Sequence, residues 1–388
     1  MLSVFLRSIY IGLLVTCDLV FLLLFALIHK VGVDMLGMIS LLWSSVYIPV
    51  NLFASKISDD GRIGFVSLIS TVSSIVSLYL LIHFYNDLLI LILSYIFHSI
   101  ALSTGRVSHN VSLNESYYFE EWSRYSIISS SLQRFTYVAI LVTLFLEHNL
   151  VAAIYRVVLL GFLISLIFPF LISYRGFERR YGSLVSKIDN VSTVTRYMIL
   201  VPDIRGDVSS YTRNWFESQN SVTPVIISAL LTSVAVELIM VPIPATFRSL
   251  LGQQGLLIIY IIIGILTGFS ILLLSGTASK PYLIGALRVP LVIFILYLIP
   301  QAVNIEYIIL LGLVYAVISV LNNMFTTTLY NMYNQRSFGY GLGIYMSILE
   351  IGSVIGDLLI WLILGGLGYN IIIIISAILF ILSIIFLR

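Results

Sequence analysis

A chain of 388 residues that is 60% hydrophobic and only 10% charged cannot be a water-soluble fold, because soluble domains carry about 25% charged residues to face water. Its net charge of +2 gives no electrostatic footprint for nucleic acid. The single cysteine, Cys17, excludes an intramolecular disulfide framework and a cysteine-rich metal site.

A helix needs about 20 apolar residues to cross the hydrocarbon core of a bilayer. The first apolar run, 4–28, is too long for the roughly 7–15-residue core of a signal peptide. It continues into His29 and Lys30 without a cleavage site, so it reads as a retained first span. Further spans are predicted over 35–53, 64–84, 88–104, 125–146 and 150–173. After a polar stretch the pattern resumes over 222–244, 256–274, 281–299, 305–325, 340–364 and 369–387. Barrel strands would be about ten residues of alternating polarity, so the runs are helices. The expected fold is an all-α polytopic membrane protein with twelve transmembrane helices in two six-helix bundles, 1–174 and 222–388. A central linker over 175–221 joins them. That linker holds seven basic and five acidic residues and reads as a solvated tether, with contact to phospholipid headgroups as the alternative.

Basic residues test this topology. With the N-terminus in the cytoplasm, fifteen of the 20 Lys and Arg residues fall on the cytoplasmic side. Arg7, Lys56, Arg62, Arg106, Arg124, Lys280, Arg336 and Arg388 are among them, with the seven of the linker. Only Lys30 and Arg248 fall opposite, while Arg134, Arg156 and Arg288 lie within spans. Positive residues are retained inside during insertion, so both termini are expected in the cytoplasm of a cell-membrane protein. Arg156 and Arg288 lie near span ends and are expected to snorkel to the surface.

The loop after the second span reads Asn51-Leu-Phe-Ala-Ser-Lys-Ile-Ser-Asp59-Asp60-Gly61-Arg62-Ile-Gly64. Together with twelve spans and a long central loop, it resembles the major facilitator superfamily. That family carries Gly-x-x-x-Asp-Arg-x-Gly-Arg there. Asp59 or Asp60 matches the family's acid and Gly61-Arg62 its Gly-Arg pair. The resemblance implies a latch that holds the cytoplasmic side shut, while the residues alone read equally as a tight Asp-Gly turn. In the eleventh span, Gly339, Gly341, Gly343, Ser347, Gly352, Ser353 and Gly356 are small residues that let helices approach closely and slide.

Ionisable groups in lipid are costly and mark interior sites. Asp18 in span one and Glu237 in span seven lie at matching depth on helices related by the six-plus-six repeat. The resemblance implies that spans one, four, seven and ten line a central cavity. Asp18, His98 and Glu237 would then face the site, with Asn322 and Asn323 supplying uncharged hydrogen bonds. A low-dielectric cavity disfavours a carboxylate's ionised form, which lets it carry a proton. Arg134, Glu350 and Asp357 fall on spans between the halves, with an Arg134–Glu350 ion pair feasible across that interface.

The expected function is a secondary transporter of a small organic solute by alternating access, a uniporter or a proton-coupled carrier, working as a monomer among membrane lipids. A flippase for lipids or lipid-linked substrates is the alternative. A membrane-embedded enzyme ranks lower, because the chain has no His-Glu-x-x-His and no Asp-rich metal motif. No cofactor is called for, and no Walker motif is present for ATP-driven pumping.

Overall fold

The computed structural model describes residues 2–27, 29, 33–116, 119–146, 150–172, 222–240, 242–273, 281–301, 305–337, 342–364 and 369–387. Six helices form the first half: α1 (Leu2–Leu27), α2 (Val33–Asp59), α3 (Ile63–Phe84), α4 (Leu88–Ser116), α5 (Phe119–Leu146) and α6 (Leu150–Leu171). Six more form the second: α7 (Thr223–Met240), α8 (Pro242–Leu273), α9 (Pro281–Leu298), α10 (Ile305–Ser337), α11 (Leu342–Leu364) and α12 (Tyr369–Leu387). Among the described residues nine of these are long and apolar enough to cross a membrane. In α6 and α8 the described apolar stretches are shorter, and α1 is a 26-residue helix whose only charges are Arg7 and Asp18. The protein is therefore a multi-pass membrane protein. The linker expected over 175–221 lies outside the described residues, as do Gly339, Gly341 and the loop 275–280.

Local chemistry sets the helix ends. Asp87 caps α4 by accepting hydrogen bonds from the Leu89 and Ile90 amides at 2.9 and 3.2 Å, filling two of the orphan donors of a helix start. Pro242 and Pro281 open α8 and α9, where the missing N–H costs nothing. At the end of α2 the Arg62 amide bonds back to the Ile57 carbonyl at 3.1 Å and the Gly61 amide to the Ser58 carbonyl at 2.9 Å. Gly61 has φ 78°. This is a Schellman stop, and it needs glycine at the left-handed position. The Asp59–Arg62 segment is thus a helix terminator in its backbone. Arg62 is exposed, and Asp59 lies within electrostatic reach of Tyr333 on α10.

Helix packing repeats with a shift of six. In the first half α1 packs on α4, α5 and α6, α2 on α4, and α3 on α4 and α6. In the second, α7 packs on α10, α11 and α12, α8 on α10, and α9 on α10 and α12. The halves meet along two seams, α2 with α11 and α5 with α8, which exchange under the same shift. Each seam is closed by glycine from the second half. A Cβ on Gly343 would overlap the Asn51 carbonyl oxygen and the Ser55 side chain of α2. On the other seam, a Cβ on Gly268 would lie 2.9 Å from the Phe135 ring of α5. At Gly343 the missing side chain lets α11 come up to the α2 backbone, and at Gly268 it makes room for the Phe135 ring, the usual means of tight packing in lipid. Serines serve the same purpose inside the first half. Ser77 and Ser94 hydroxyls donate to each other's carbonyls at 2.9 and 2.7 Å, joining α3 to α4.

The outside is apolar. Leu89 and Phe170 are 78% and 87% exposed, which suits lipid contact. The inside holds more polar chemistry than the apolar runs foretell. Helix α4 continues twelve residues beyond the expected end of its span at 104, and Arg106 lies within it, a correction to its expected cytoplasmic place. Arg7 is likewise 1% exposed inside α1, with its guanidinium donating to Ser112. In both cases the span runs past the last apolar residue because the bundle interior, unlike lipid, offers hydrogen-bond partners.

Arg288 is the third correction. Instead of snorkelling it is 0% exposed. Its guanidinium lies between the Phe325 and Phe380 rings, 3.9 and 4.3 Å from their centroids. It donates to Asn322 Oδ1 at 3.2 Å, the Ser383 hydroxyl at 3.4 Å and the Gly285 carbonyl at 3.4 Å. It ties α9 to α10 and α12 by packing as much as by charge. Arg288→Ala is expected to destabilise by about 3 kcal/mol or more, since it leaves a cavity and a buried carbonyl of Asn322 without a donor. Arg288→Met, which keeps the volume, should recover at least half of the lost melting temperature in detergent. Equal melting of the two variants would contradict this packing role.

Candidate functional site

Ionisable side chains gather between the halves, on five helices. The start of α1 at Leu2 and the end of α12 at Leu387 lie at one end of the bundle, the end carrying the termini, since the number of helices is even. Counted from that end at 1.5 Å per residue, Arg106 and Glu350 are about 10–12 Å deep and Arg134 about 15 Å. Asp18, Glu237 and Asp357 are deeper, at about 21–24 Å. The groups therefore form a ladder from the membrane midplane outward.

On the first half, α1 and α4 bring Asp18 and His98 together. His98 Nε2 lies 2.9 Å from Asp18 Oδ1. The two atoms do not meet in hydrogen-bonding geometry, and the contact is an ion pair only when the imidazole carries a proton. His98 is 1% exposed and Asp18 26%. The carboxylate is thus the face of the pair open to a solute. An aromatic wall runs from this pair towards Arg106. Phe21 and Tyr95 flank His98, with ring centroids 5.3 and 6.4 Å away. Tyr95 is 6.2 Å from Trp43, which stacks on Tyr47 at 4.5 Å. Arg106 Nη1 donates to the Tyr47 hydroxyl at 3.1 Å, with Asp18 and Glu350 within electrostatic reach.

The second half supplies three carboxylates. The Ser44 hydroxyl of α2 donates to Glu350 on α11, one contact across the seam. Asp357, two helical turns on, accepts from Ser40 of the same α2. Glu237 on α7 accepts from Ser353 and packs against Gly356, where an added Cβ would meet its own at 2.5 Å. Asp357 and Glu350 are both within its electrostatic reach. Glycine at 356 is what lets the Glu237 stem lie flat on α11.

Arg134 and Glu350 do not pair. Similar depth does not make them neighbours, because α11 faces α2 while α5 faces α8, on opposite sides of the interface. Arg134 Nη2 instead donates to Asn323 Oδ1 of α10 at 2.7 Å. Asn323 in turn donates to the Ser319 carbonyl at 2.8 Å. Asn322, the other expected cavity amide, points the opposite way to Arg288 inside the second bundle. Of the sequence candidates, Asp18, His98, Glu237, Glu350, Asp357, Arg134 and Asn323 lie at this interface. Asp59, Asp60, Gly61 and Arg62 lie at the end of α2. Arg106, Trp43 and Tyr47 belong to the site and escaped sequence reasoning. The signal for Arg106 was present: no proline interrupts 88–116, so nothing stops the helix at 104.

The end carrying the termini is sealed. Tyr330 of α10 packs against Val4 of α1 and Leu113 of α4. Phe325, Leu329, Tyr333 and Tyr345 of the second half share one continuous core with first-half residues. The Tyr345 hydroxyl donates to the Thr326 carbonyl at 3.3 Å, holding α11 to α10 there.

No family model matches the sequence, and no curated protein matches it significantly. Among solved structures the chain is similar to the MFS (major facilitator superfamily) proton:xylose symporter XylE bound to 6-bromo-6-deoxy-D-glucose. The TM-score is 0.68 at 12% sequence identity, over 99% of this chain and 94% of that one. The six-helix packing repeat, the two seams and this likeness agree: the chain has the major facilitator fold, twelve helices in two six-helix bundles.

Proposed function

We propose that this protein is a secondary active transporter that moves a small polar organic solute by alternating access, with protons as the coupling ion. The observation that carries the reading is the ladder of ionisable groups, contributed by both halves, at an interface sealed at one end. A solute bound there touches both bundles, so tilting one against the other along the α2–α11 and α5–α8 seams exposes it on the opposite side. Asp18 with His98 and Glu237 with Asp357 are the groups assigned to the proton. The Asp18 carboxylate faces the His98 imidazole, whereas Glu237 accepts from Ser353 and has the like-charged Asp357 and Glu350 within reach. A proton on either carboxylate therefore changes a balance that a solute or a bundle movement can shift. The likeness to a proton:xylose symporter supports coupling of this kind.

The units we assign are 1–174, a cytoplasmic linker over 175–221, and 222–388. Both termini face the cytoplasm of a cell membrane, and the protein works as a monomer without a cofactor and not as an enzyme. A test needs only the purified chain in proteoliposomes with an imposed pH gradient. A panel of sugars, organic acids, amino acids and amphiphilic cations is offered. Accumulation of one solute class above its outside concentration, abolished by a protonophore, is the expected result. Equal uptake with and without the gradient would remove proton coupling. No protein-dependent uptake of any class would remove the carrier reading.

A further inference from the structure

Arg134 is a cation about 15 Å deep whose one hydrogen bond among the described residues is to a neutral amide, Asn323 Oδ1. Among the described residues no carboxylate forms an ion pair with it. Its electrostatic neighbours are Tyr137 and a second guanidinium, Arg106. Arg106 is itself held by the neutral Tyr47 hydroxyl. The carboxylates within its reach, Asp18 and Glu350, approach Arg106 and not Arg134. Arg106 thus has carboxylates within reach, while Arg134 has a like charge beside it and no carboxylate.

Leaving a guanidinium half-buried in lipid without a counter-ion is costly. Arg288 shows how this chain meets that cost when no ligand is involved: full burial, an aromatic ring on each face and three acceptors. Among the described residues Arg134 has none of those rings and one acceptor, and it remains partly exposed. It stands beside the seam, on the α5 side, bound to α10 of the opposite half. A planar guanidinium with free N–H groups is built for bidentate contact with a carboxylate or phosphate.

Resting on the carrier reading above, we propose that the transported solute bears an anionic group, carboxylate or phosphate, that binds Arg134 next to Arg106. The Asn323 amide then serves as the stand-in acceptor when the site is empty. A bound anion competes with Asn323 for the guanidinium and so loosens a bond between the halves. Binding and release of the seam become one event.

The test uses the full chain in nanodiscs of uncharged lipid, with thermal unfolding followed by tryptophan fluorescence. The probes are mono- and dicarboxylates, glucose 6-phosphate, glucose and arginine, with phosphatidylglycerol added to the disc in a separate arm. Saturable stabilisation by at least one soluble anion, and none by glucose or arginine, is expected. Arg134→Gln should weaken that binding about tenfold or more, the worth of one charge-assisted hydrogen bond. Arg134→Lys should restore part of it, and Arg288→Met should leave it unchanged. Stabilisation by phosphatidylglycerol alone would place the anion on a lipid headgroup, overturning the soluble solute while keeping the Arg134 site. Anion binding unaltered in Arg134→Gln, or no anion binding, overturns the proposal. Saturable exchange of a neutral solute that ignores Arg134→Gln overturns it while the carrier reading stands.

Discussion

Asp18→Asn is expected to reduce gradient-driven accumulation about 100-fold while leaving solute exchange at equal pH largely intact. Asp18 is the exposed member of a pair whose other member, His98, is buried. Removing the carboxylate's charge strands the imidazole in an apolar wall of Phe21 and Tyr95. Breaking a fully buried pair costs about 3–5 kcal/mol, and the partial exposure of Asp18 brings the cost below that range. Each 1.4 kcal/mol is about a factor of ten in an equilibrium, which sets the size of the effect. The asparagine keeps the volume and a hydrogen-bonding oxygen, so the fold and the solute site persist. Glu237→Gln should behave in the same direction, because Ser353 can donate to the amide oxygen as it does to the carboxylate. Uptake assays in proteoliposomes with and without a pH gradient read both quantities on one preparation. A parallel fall of exchange and accumulation would mean that Asp18 holds the bundle together and does not carry the proton.

The second large effect concerns the seam. Gly343→Leu places a side chain where the Asn51 carbonyl and Ser55 already sit, and no rotamer avoids backbone. Overpacking of this kind costs about 1–3 kcal/mol. Here the cost falls only on the arrangement in which α2 and α11 touch at the end carrying the termini. The equilibrium between the two arrangements should shift by about 10- to 100-fold towards opening of that end. Leu329, buried in the shared core at the seal, reports the change when replaced by cysteine in a Cys17→Ser background. Its alkylation should accelerate by the same factor, and Gly343→Ala should produce a smaller increase. Unchanged alkylation would show that this seam is not the gate.

How much of this was legible in the sequence depended on the solvent a residue meets. Lipid enforces uninterrupted apolar length, so all twelve helices were evident, and the doubling of six followed from the position of the linker. The bundle interior enforces nothing so simple. The polar stretch Ser103–Ser112 of α4 looked like the end of a span, yet it is buried, with Ser103 bonded to Asn51. Arg7 and Arg288 were assigned to surfaces for the same reason. Helical rise gives depth but not direction. It put Arg134 and Glu350 at one level and could not tell that they stand on opposite seams. Asn322 and Asn323 show the same blindness: consecutive on α10, they turn about 100° apart and serve different bundles. Asp18 and His98 could be named from burial of charge alone, but their contact needed the fold.

The central claim is that the two halves rock against each other about the seams. Spin labels at Lys56 and Leu283, both exposed and on opposite halves near the sealed end, measure it directly. In a Cys17→Ser background, with both positions changed to cysteine, double electron–electron resonance should reveal a short distance matching the closed seam and a second, longer one. Solute or a pH gradient should change the proportions of the two, and Gly343→Leu should favour the longer. A single distance, unmoved by solute, gradient or the seam variant, would contradict alternating access by this protein.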